Sequence, residues 1–457
     1  MTKTIKLRRG LDINLQGTAK MEKQQVSFGS VFAVQPDDFT GVKPKVVVKE
    51  GDKVKAGDAL FINKTYPEVS FSSPVSGTVK LVERGERRKL LSVQVEADAQ
   101  QEYADFGAKD VKSLDGAAVK QALLEAGLFG YINQLPYAVS TNPQTAPKAI
   151  FVSALRDMPL AGDFEYELKG QEADWQTGLS ALSKIAKTYL GIGSKQTSQA
   201  LTQAKDVEVV AFEGKCPAGN VGVQVNNIDP VNKGEVVWTV DPTAVIFFGR
   251  LFNTGKVNLT RTVAVAGSEV SEPCYVDALV GADITEVLKS KVNFAGKVRI
   301  ISGNPLTGKP CAIASAAQEV SQTFLGAHTS EVTAIPEGDN ADELFGWIMP
   351  RTKDFSTHKS YFSWLFPGKS FRLDARVKGG ERHMIMSGEY DKVLPMDIYG
   401  EYLIKAIIAQ DIDKMEQLGI YEVSPEDFAL AEFVDSSKLE LQQIVREGLD
   451  MLRKENE

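Results

Sequence analysis

Three observations predict a multidomain α/β and α+β chain. Short strands punctuated by glycine turns crowd the first hundred residues. Helices and strands alternate between about 101 and 255, and apolar residues recur at helical spacing after Met396. In the first stretch, Val46-Val47-Val48 reads as a strand. Gly51-Asp52 and Ala56-Gly57-Asp58 read as turns that enclose a very short strand with Val54 pointing inward. Ser73-Pro74-Val75-Ser76-Gly77-Thr78-Val79 repeats the turn-then-strand arrangement, and Leu90–Val95 alternates. Together they suggest a small barrel or flattened sandwich.

The next stretch changes period. Asp115 caps a helix carrying Val119, Leu123 and Leu124, which ends at Ala126-Gly127. A buried strand is expected at Ala149–Ala154 and another at Val207–Phe212. Between them, a helix over about Asp174–Leu190 would put Leu179, Leu182, Ile185, Ala186 and Tyr189 inward. This is an α/β layer with a partly parallel sheet. Ala244–Phe248 either closes that sheet or begins a helix. Gly191-Ile192-Gly193-Ser194-Lys195 lacks phosphate-loop spacing and follows a predicted helix, so it reads as a helix end and turn.

From Lys256 to Ile335, a strand at Arg261–Gly267 pairs with Glu272–Val276. A helix capped by Asp283 follows, then a strand at Lys297–Gly303, an order that suggests a β-grasp. Beyond it the chain reads as mostly helical. Met396–Leu418 forms one helix, Ser424-Pro425-Glu426-Asp427 caps the next, and Ser437–Lys454 forms the last.

Composition narrows the chemistry. The 457 residues hold 52 basic and 60 acidic side chains, a net charge of −8, which disfavours a global nucleic-acid binder. The cysteines are Cys216, Cys274 and Cys311, and the histidines His328, His358 and His383. Three scattered cysteines cannot ligate a four-cysteine iron–sulfur cluster, and no pair has zinc-ligand spacing. So low a cysteine content fits a reducing compartment. No run of about 18 apolar residues occurs, so no membrane span is expected, and the first ten residues lack a signal peptide's apolar core.

The V-x-x-G-D-x-V-x-x-G-x-x-L pattern ending at Leu60, with Ser73–Val79, resembles a biotinyl/lipoyl-type barrel-sandwich hybrid. That resemblance leaves two readings: a carrier with a modified Lys64, or a purely structural barrel. The Asn63-Lys64-Thr65 context lacks the flanks that modifying ligases read, which favours the structural one. Gly127-Leu128-Phe129-Gly130 resembles the start of the FMN loop in the flavoprotein subunit of respiratory complex I. Here the following glycines are replaced by Tyr131-Ile132-Asn133-Gln134, so flavin binding in that mode should be lost. Val265–Pro273 and Gly281–Leu288 resemble the soluble-ligand-binding β-grasp, read here as a spacer. The segments become 1–100, barrel-sandwich hybrid; 101–255, Rossmann-like α/β domain; 256–335, β-grasp domain; and 336–457, C-terminal helical domain.

An ordered set of motifs completes the picture: Arg9-Gly10-Leu11-Asp12, Gly51–Leu60, Leu344–Pro350, Gly388–Val393, Leu394-Pro395-Met396-Asp397 and Glu426–Leu430. With this set the chain resembles the A-subunit family of Na⁺-translocating NADH:quinone oxidoreductases. The resemblance implies a peripheral subunit on the cytoplasmic side of the inner membrane, in a complex with five other subunits. It implies no redox cofactor on this chain; FAD, FMN, riboflavin and iron–sulfur centres would lie in partners. It also links two regions, Gln35–Val42 and Ile132–Val139, with quinone. Phe39, Phe129, Tyr131 and Tyr137 could wall a quinone there, although Asn133, Leu135 and Val139 stand where family members carry basic residues. Two alternatives stay open: a soluble carrier or scaffold, and an Rnf-type electron-transport subunit without clusters.

One charged stretch stands apart. Between Arg351 and Arg382 lie eight cations, Arg351, Lys353, Lys359, Lys369, Arg372, Arg376, Lys378 and Arg382, and three carboxylates, Asp354, Asp374 and Glu381. At its centre is Ser360-Tyr361-Phe362-Ser363-Trp364-Leu365-Phe366-Pro367. The pattern suits a lipid headgroup region or a membrane subunit's loops, or else an ordinary hairpin with core aromatics.

Overall fold

The computed structural model describes residues 3–318, 320–339, 351–357 and 359–456. His358 and the Leu344–Pro350 motif lie outside them. Residues 31–97 form two facing antiparallel sheets. One has the order Val31–Val34, Leu90–Ala97, Gly77–Arg84, Lys53–Val54; the other is Pro44–Val46, Ala59–Asn63, Ser70–Ser72. Val54, Leu60, Phe61, Phe71, Val79 and Val93 fill the space between. The two turn motifs are built alike. Asp52 accepts from the Lys49 N–H and Asp58 from the Lys55 N–H, both at 2.7 Å, while Gly51 and Gly57 take φ of 90° and 102°. The strand read at Val46–Val48 stops at Val46. Val47 turns outward to solvent as the chain bends toward Gly51.

A seven-stranded sheet follows the order Lys3–Lys6, Glu208–Glu213, Thr188–Gly193, Ile150–Ser153, Val237–Val240, Ile132–Leu135, Val139–Ser140. The first five strands are mutually parallel and the last two antiparallel. Its first strand precedes the sandwich in sequence, so residues 3–6 belong to the sheet of the following segment. The helix read over Asp174–Leu190 spans Glu172–Ile185, and Tyr189 and Leu190 lie on a strand. Gly191–Gly193 likewise continue that strand rather than ending a helix. Pairing with strands on both sides outweighs a helical period that happens to run on. A Cβ at 191 would lie 1.9 Å from the Gln224 side-chain oxygen, so any other residue there must displace that buried amide.

Ala244–Phe248 belongs to the helix Pro242–Thr254. Asp241 caps it, accepting from the Thr243 N–H at 2.9 Å, with Pro242 in its first turn and Gly255 at φ 70° past its end. This helix packs on Glu172–Ile185 through two glycines. A Cβ on Gly178 would lie 2.0 Å from the Val245 carbonyl oxygen, and one on Gly249 would lie 1.7 Å from that of Asp174. Alanine at either site forces the axes apart. We expect Gly178→Ala and Gly249→Ala each to cost about 1–3 kcal/mol, despite alanine's better helix propensity. Urea titration followed by tryptophan emission checks this; a midpoint at or above wild type would contradict the packing.

The third sheet has the order Cys274–Leu279, Thr260–Ala266, Glu331–Pro336, Val298–Ser302, Lys309–Ala314. The hairpin partner read at Glu272–Val276 is shifted to Cys274–Leu279, because its register is set by Val265 opposite Cys274. The strands Lys309–Ala314 and Glu331–Pro336 were not anticipated. Asp283 sits before the helix Thr285–Lys291 and accepts from the Thr285 N–H at 3.0 Å.

In the C-terminal part, the helix read over Met396–Leu418 is two helices, Gly400–Ile408 and Ile412–Gln417. The break falls where Gln410 takes φ 56° and Asp411 caps the second helix. Ser424 and Asp427 form a capping box. The last helix begins at Leu441 rather than Ser437, because the Ser437 hydroxyl donates to the His383 carbonyl and Lys438 takes φ 59°. The described residues between 351 and 389 are largely irregular, with a 3₁₀ turn at Phe362–Leu365, and so are less helical than the sequence suggests. An extended arm ties the segments together. The N–H of Gly10 donates to Lys392, that of Leu11 to Cys216 and that of Gln16 to Phe371. No helix among the described residues is long and apolar enough to cross a membrane.

Candidate functional site

The parallel strands of the large sheet fix where a site can form. From Ile150–Ser153 the chain winds to Thr188–Gly193 and Glu208–Glu213 on one side. It then crosses to Val237–Val240 on the other. The winding therefore reverses between Ile150–Ser153 and Val237–Val240, and open α/β sheets form their clefts beyond the carboxyl ends of strands at such a point. A cavity of about 740 Å³ lies there. Ser153, Arg156 and Asp157 line it from one strand end, and Thr239 and Asp241 from the other. The remaining walls come from every other part of the chain, including Asp38, Asn133, Lys309, Glu426 and Arg446.

Two of its lining residues, Arg156 and Asp241, belong to a buried ion network that continues behind the cavity wall. Arg156 donates to both Glu167 carboxylate oxygens, at 2.8 and 2.7 Å, and to the Thr243 hydroxyl at 3.0 Å; Asp241 lies 3.6 Å away. Burial opposes the Asp241 charge, but Arg156 and Arg261 outweigh it and hold the carboxyl below its ordinary value. Arg261, fully buried, donates to the Ala327 carbonyl at 2.8 Å. Other groups move the opposite way. Burial raises Asp38, although the Ala327 N–H donates to it at 2.8 Å. Burial pushes Asp157 up to about 6, and burial with Asp427 alongside pushes Glu426 up to about 7. His328 is driven down to about 4 by burial and stays neutral. The cavity thus sets Arg156, Lys309 and Arg446 beside carboxyls, Asp38, Asp157 and Glu426, that burial makes harder to ionise.

The aromatics expected to wall a quinone are placed differently. Phe39 and Tyr131 meet edge to face at 5.4 Å, inside a cluster with Phe71 and His328. Phe129 packs on Trp238 at 5.5 Å. All three are buried and none lines the cavity. Tyr137 lies apart at φ 82°, where its carbonyl accepts from Arg446 at 2.6 Å and its hydroxyl from Asn456 at 3.3 Å. The same two regions do reach the cavity, through Asp38, Thr40, Asn133, Leu135 and Ala138. Sequence reading missed Arg156, Glu167, Asp241 and Arg261. One available signal was Arg261, a charge inside the apolar strand Thr260–Ala266.

The residues of the flavin-like loop do not fit a flavin phosphate. A Cβ on Gly130 would lie 2.3 Å from the Phe71 ring, and one on Gly127 would lie 3.0 Å from the Ser72 side chain, so the loop packs directly against the sandwich. Lys64 is exposed after the strand Ala59–Asn63. No group of three or more metal-ligating side chains occurs among the described residues. Cys216 and Cys274 are buried apart.

Two facing sheets at the N-terminus and a parallel sheet with a polar cavity at its switch point define a multidomain α/β protein with a barrel-sandwich module. Residues 5–98 match the NqrA N-terminal barrel-sandwich hybrid domain, residues 114–257 the NqrA second alpha/beta domain and residues 262–312 the NQRA C-terminal domain. The chain is 33% identical over 455 residues to NqrA, the A subunit of the Na(+)-translocating NADH-quinone reductase, from Haemophilus influenzae (strain PittGG), covering 99% of this chain and 100% of that one. The corresponding protein of Vibrio atlanticus (strain LGP32) is 34% identical over 453 residues, with the same coverage. The chain belongs to the NqrA family, the A subunits of Na(+)-translocating NADH-quinone reductases. Among solved structures, an NAD+-reducing [NiFe]-hydrogenase is 11% identical over 52% of each chain, at a TM-score of 0.34.

Proposed function

We propose that this chain is the peripheral, cytoplasmic-side component of a reductase that couples NADH oxidation and quinone reduction to Na⁺ export. In this reading it holds no redox cofactor. FAD, FMN, riboflavin and iron–sulfur centres belong to five partner subunits, and this chain helps bind the quinone. The observation that carries the reading is the full-length match at 33% identity. The quinone role is assigned to the polar cavity rather than to Phe39, Phe129, Tyr131 and Tyr137, because both quinone-linked regions converge on it. Apart from Lys3–Lys6, which pair within the large sheet, we propose the division 1–100, 101–255, 256–335 and 336–457, with its Rossmann-like and β-grasp parts.

Affinity isolation of the tagged chain from solubilised membranes tests the assignment. Membrane partners and Na⁺-stimulated quinone reduction should come with it, while the chain purified alone should be colourless. A stoichiometric flavin or cluster spectrum on the isolated chain would contradict the cofactor assignment. The carrier alternative rests on the exposed Lys64; an intact mass showing biotin or lipoate there would favour it. Neighbouring genes would distinguish an Rnf-type subunit.

A further inference from the structure

The segment Lys359–Lys369 displays apolar side chains that nothing among the described residues covers. Its 3₁₀ turn, Phe362–Leu365, leaves Phe362 46%, Trp364 52% and Leu365 51% exposed, and the next residue, Phe366, is 48% exposed. These are not the core aromatics of an ordinary hairpin; that role falls to Phe371, which is buried. The turn is held in place from beneath. The Ser363 side chain is buried and accepts from the Ser356 N–H at 3.1 Å. Phe371 exchanges backbone hydrogen bonds with the N-terminal arm, donating to Asn14 at 2.8 Å and accepting from Gln16 at 3.0 Å. Four large apolar groups therefore stand on an anchored tip.

Charge selects the occupant. Arg372 is paired with Glu269 at 2.8 Å, Arg376 with Asp374 at 2.8 Å and Lys378 with Asp354 at 3.5 Å. Lys359 and Lys369 differ. Among the described residues neither meets a carboxylate, although Lys369 donates to the Thr352 carbonyl at 2.5 Å. Their ammonium groups lie over the rings of Trp364 and Phe366, at 5.6 and 5.8 Å. Lysines flanking exposed Trp and Phe match a bilayer interface. There the rings sit at headgroup level and each ammonium meets lipid phosphate. A partner protein's apolar groove would not require cations at both edges of the tip.

We propose that Phe362, Trp364, Leu365 and Phe366 insert into the headgroup region of an anionic bilayer, with Lys359 and Lys369 bound to lipid phosphate. The proposal deepens the peripheral-subunit reading but is tested without any partner. The full chain, purified alone, is sedimented with vesicles of phosphatidylcholine containing phosphatidylglycerol, and with phosphatidylcholine alone. Binding to the anionic vesicles is expected, and it should weaken with salt. Lys359→Gln/Lys369→Gln should lower partitioning about thirtyfold, and Trp364→Ser/Phe366→Ser should abolish it. Unchanged circular dichroism and thermal midpoints of both variants would show that folding is intact. Absence of binding by wild type, or equal binding by folded variants, overturns the proposal. So does a pattern in which wild type ignores vesicles but the variants fail to assemble with membrane subunits, which would make the tip a protein interface. The reductase reading itself fails on a separate result, isolation of the tagged chain without partners.

Discussion

Replacing Arg156 with methionine is expected to destabilise the protein by about 3–5 kcal/mol, the range for removing one partner of a buried ion pair. The reason is the group left behind. The Glu167 side chain is 2% exposed and receives both of the short hydrogen bonds Arg156 makes to a carboxylate. Without Arg156 that nearly fully buried carboxyl group loses both of these hydrogen bonds and its nearest cation. The same guanidinium joins the end of strand Ile150–Ser153 to the helix Pro242–Thr254 through Thr243, so the loss also loosens the cavity wall. Arg156→Met/Glu167→Leu should recover most of the stability, since an apolar pair can replace a buried ion pair at little cost. Urea titration of wild type, single and double variants measures the difference. A single variant as stable as wild type would show that the network carries no structural weight.

The second large effect depends on pH. Glu426 has a folded pKa of about 7, raised from 4.5 by burial and by Asp427. In the unfolded chain it titrates near its ordinary value. Between about pH 4.5 and 7 the folded state therefore binds more protons, so this group's contribution falls as pH rises through that window and is fully present only below it. His328 acts in the opposite sense. Its folded pKa is depressed to about 4, so its contribution is present above its unfolded value and is lost on acidification. The difference between wild type and Glu426→Gln isolates the carboxyl. The variant should gain on wild type from pH 5 to pH 8, then keep a constant lead. Asp427→Asn is no substitute, because Asp427 also accepts from the Ser424 N–H and hydroxyl, both at 2.8 Å. Parallel stability curves for wild type and Glu426→Gln would refute the assigned shift.

What could be read from the sequence was local chemistry. Gly51, Asp52, Gly57 and Asp58 announce their turns because each satisfies a neighbour's backbone or takes a conformation that favours glycine. Asp115 and the Ser424–Asp427 box announce helix starts for the same reason. What escaped was decided at a distance. Lys3–Lys6 is a four-residue strand whose partner begins at Glu208, so nothing nearby marks it. Tyr189 continued a helical stripe by coincidence, and only pairing with Phe151 and Glu208 shows it to be a strand residue. The site divides along the same line. The regions around Asp38 and Asn133 were indicated by resemblance. The ion network behind the cavity wall joins Arg156, Glu167, Asp241 and Arg261 from separate elements, and no spacing in the sequence connects them.

If the chain works as one subunit of a sodium-translocating NADH-quinone reductase, deleting its gene should change the membranes of the host. Na⁺-stimulated electron transfer from NADH to quinone should disappear and should return when the full chain is supplied from a plasmid. If the deletion membranes keep that activity at the wild-type rate, the chain is not a working part of the reductase.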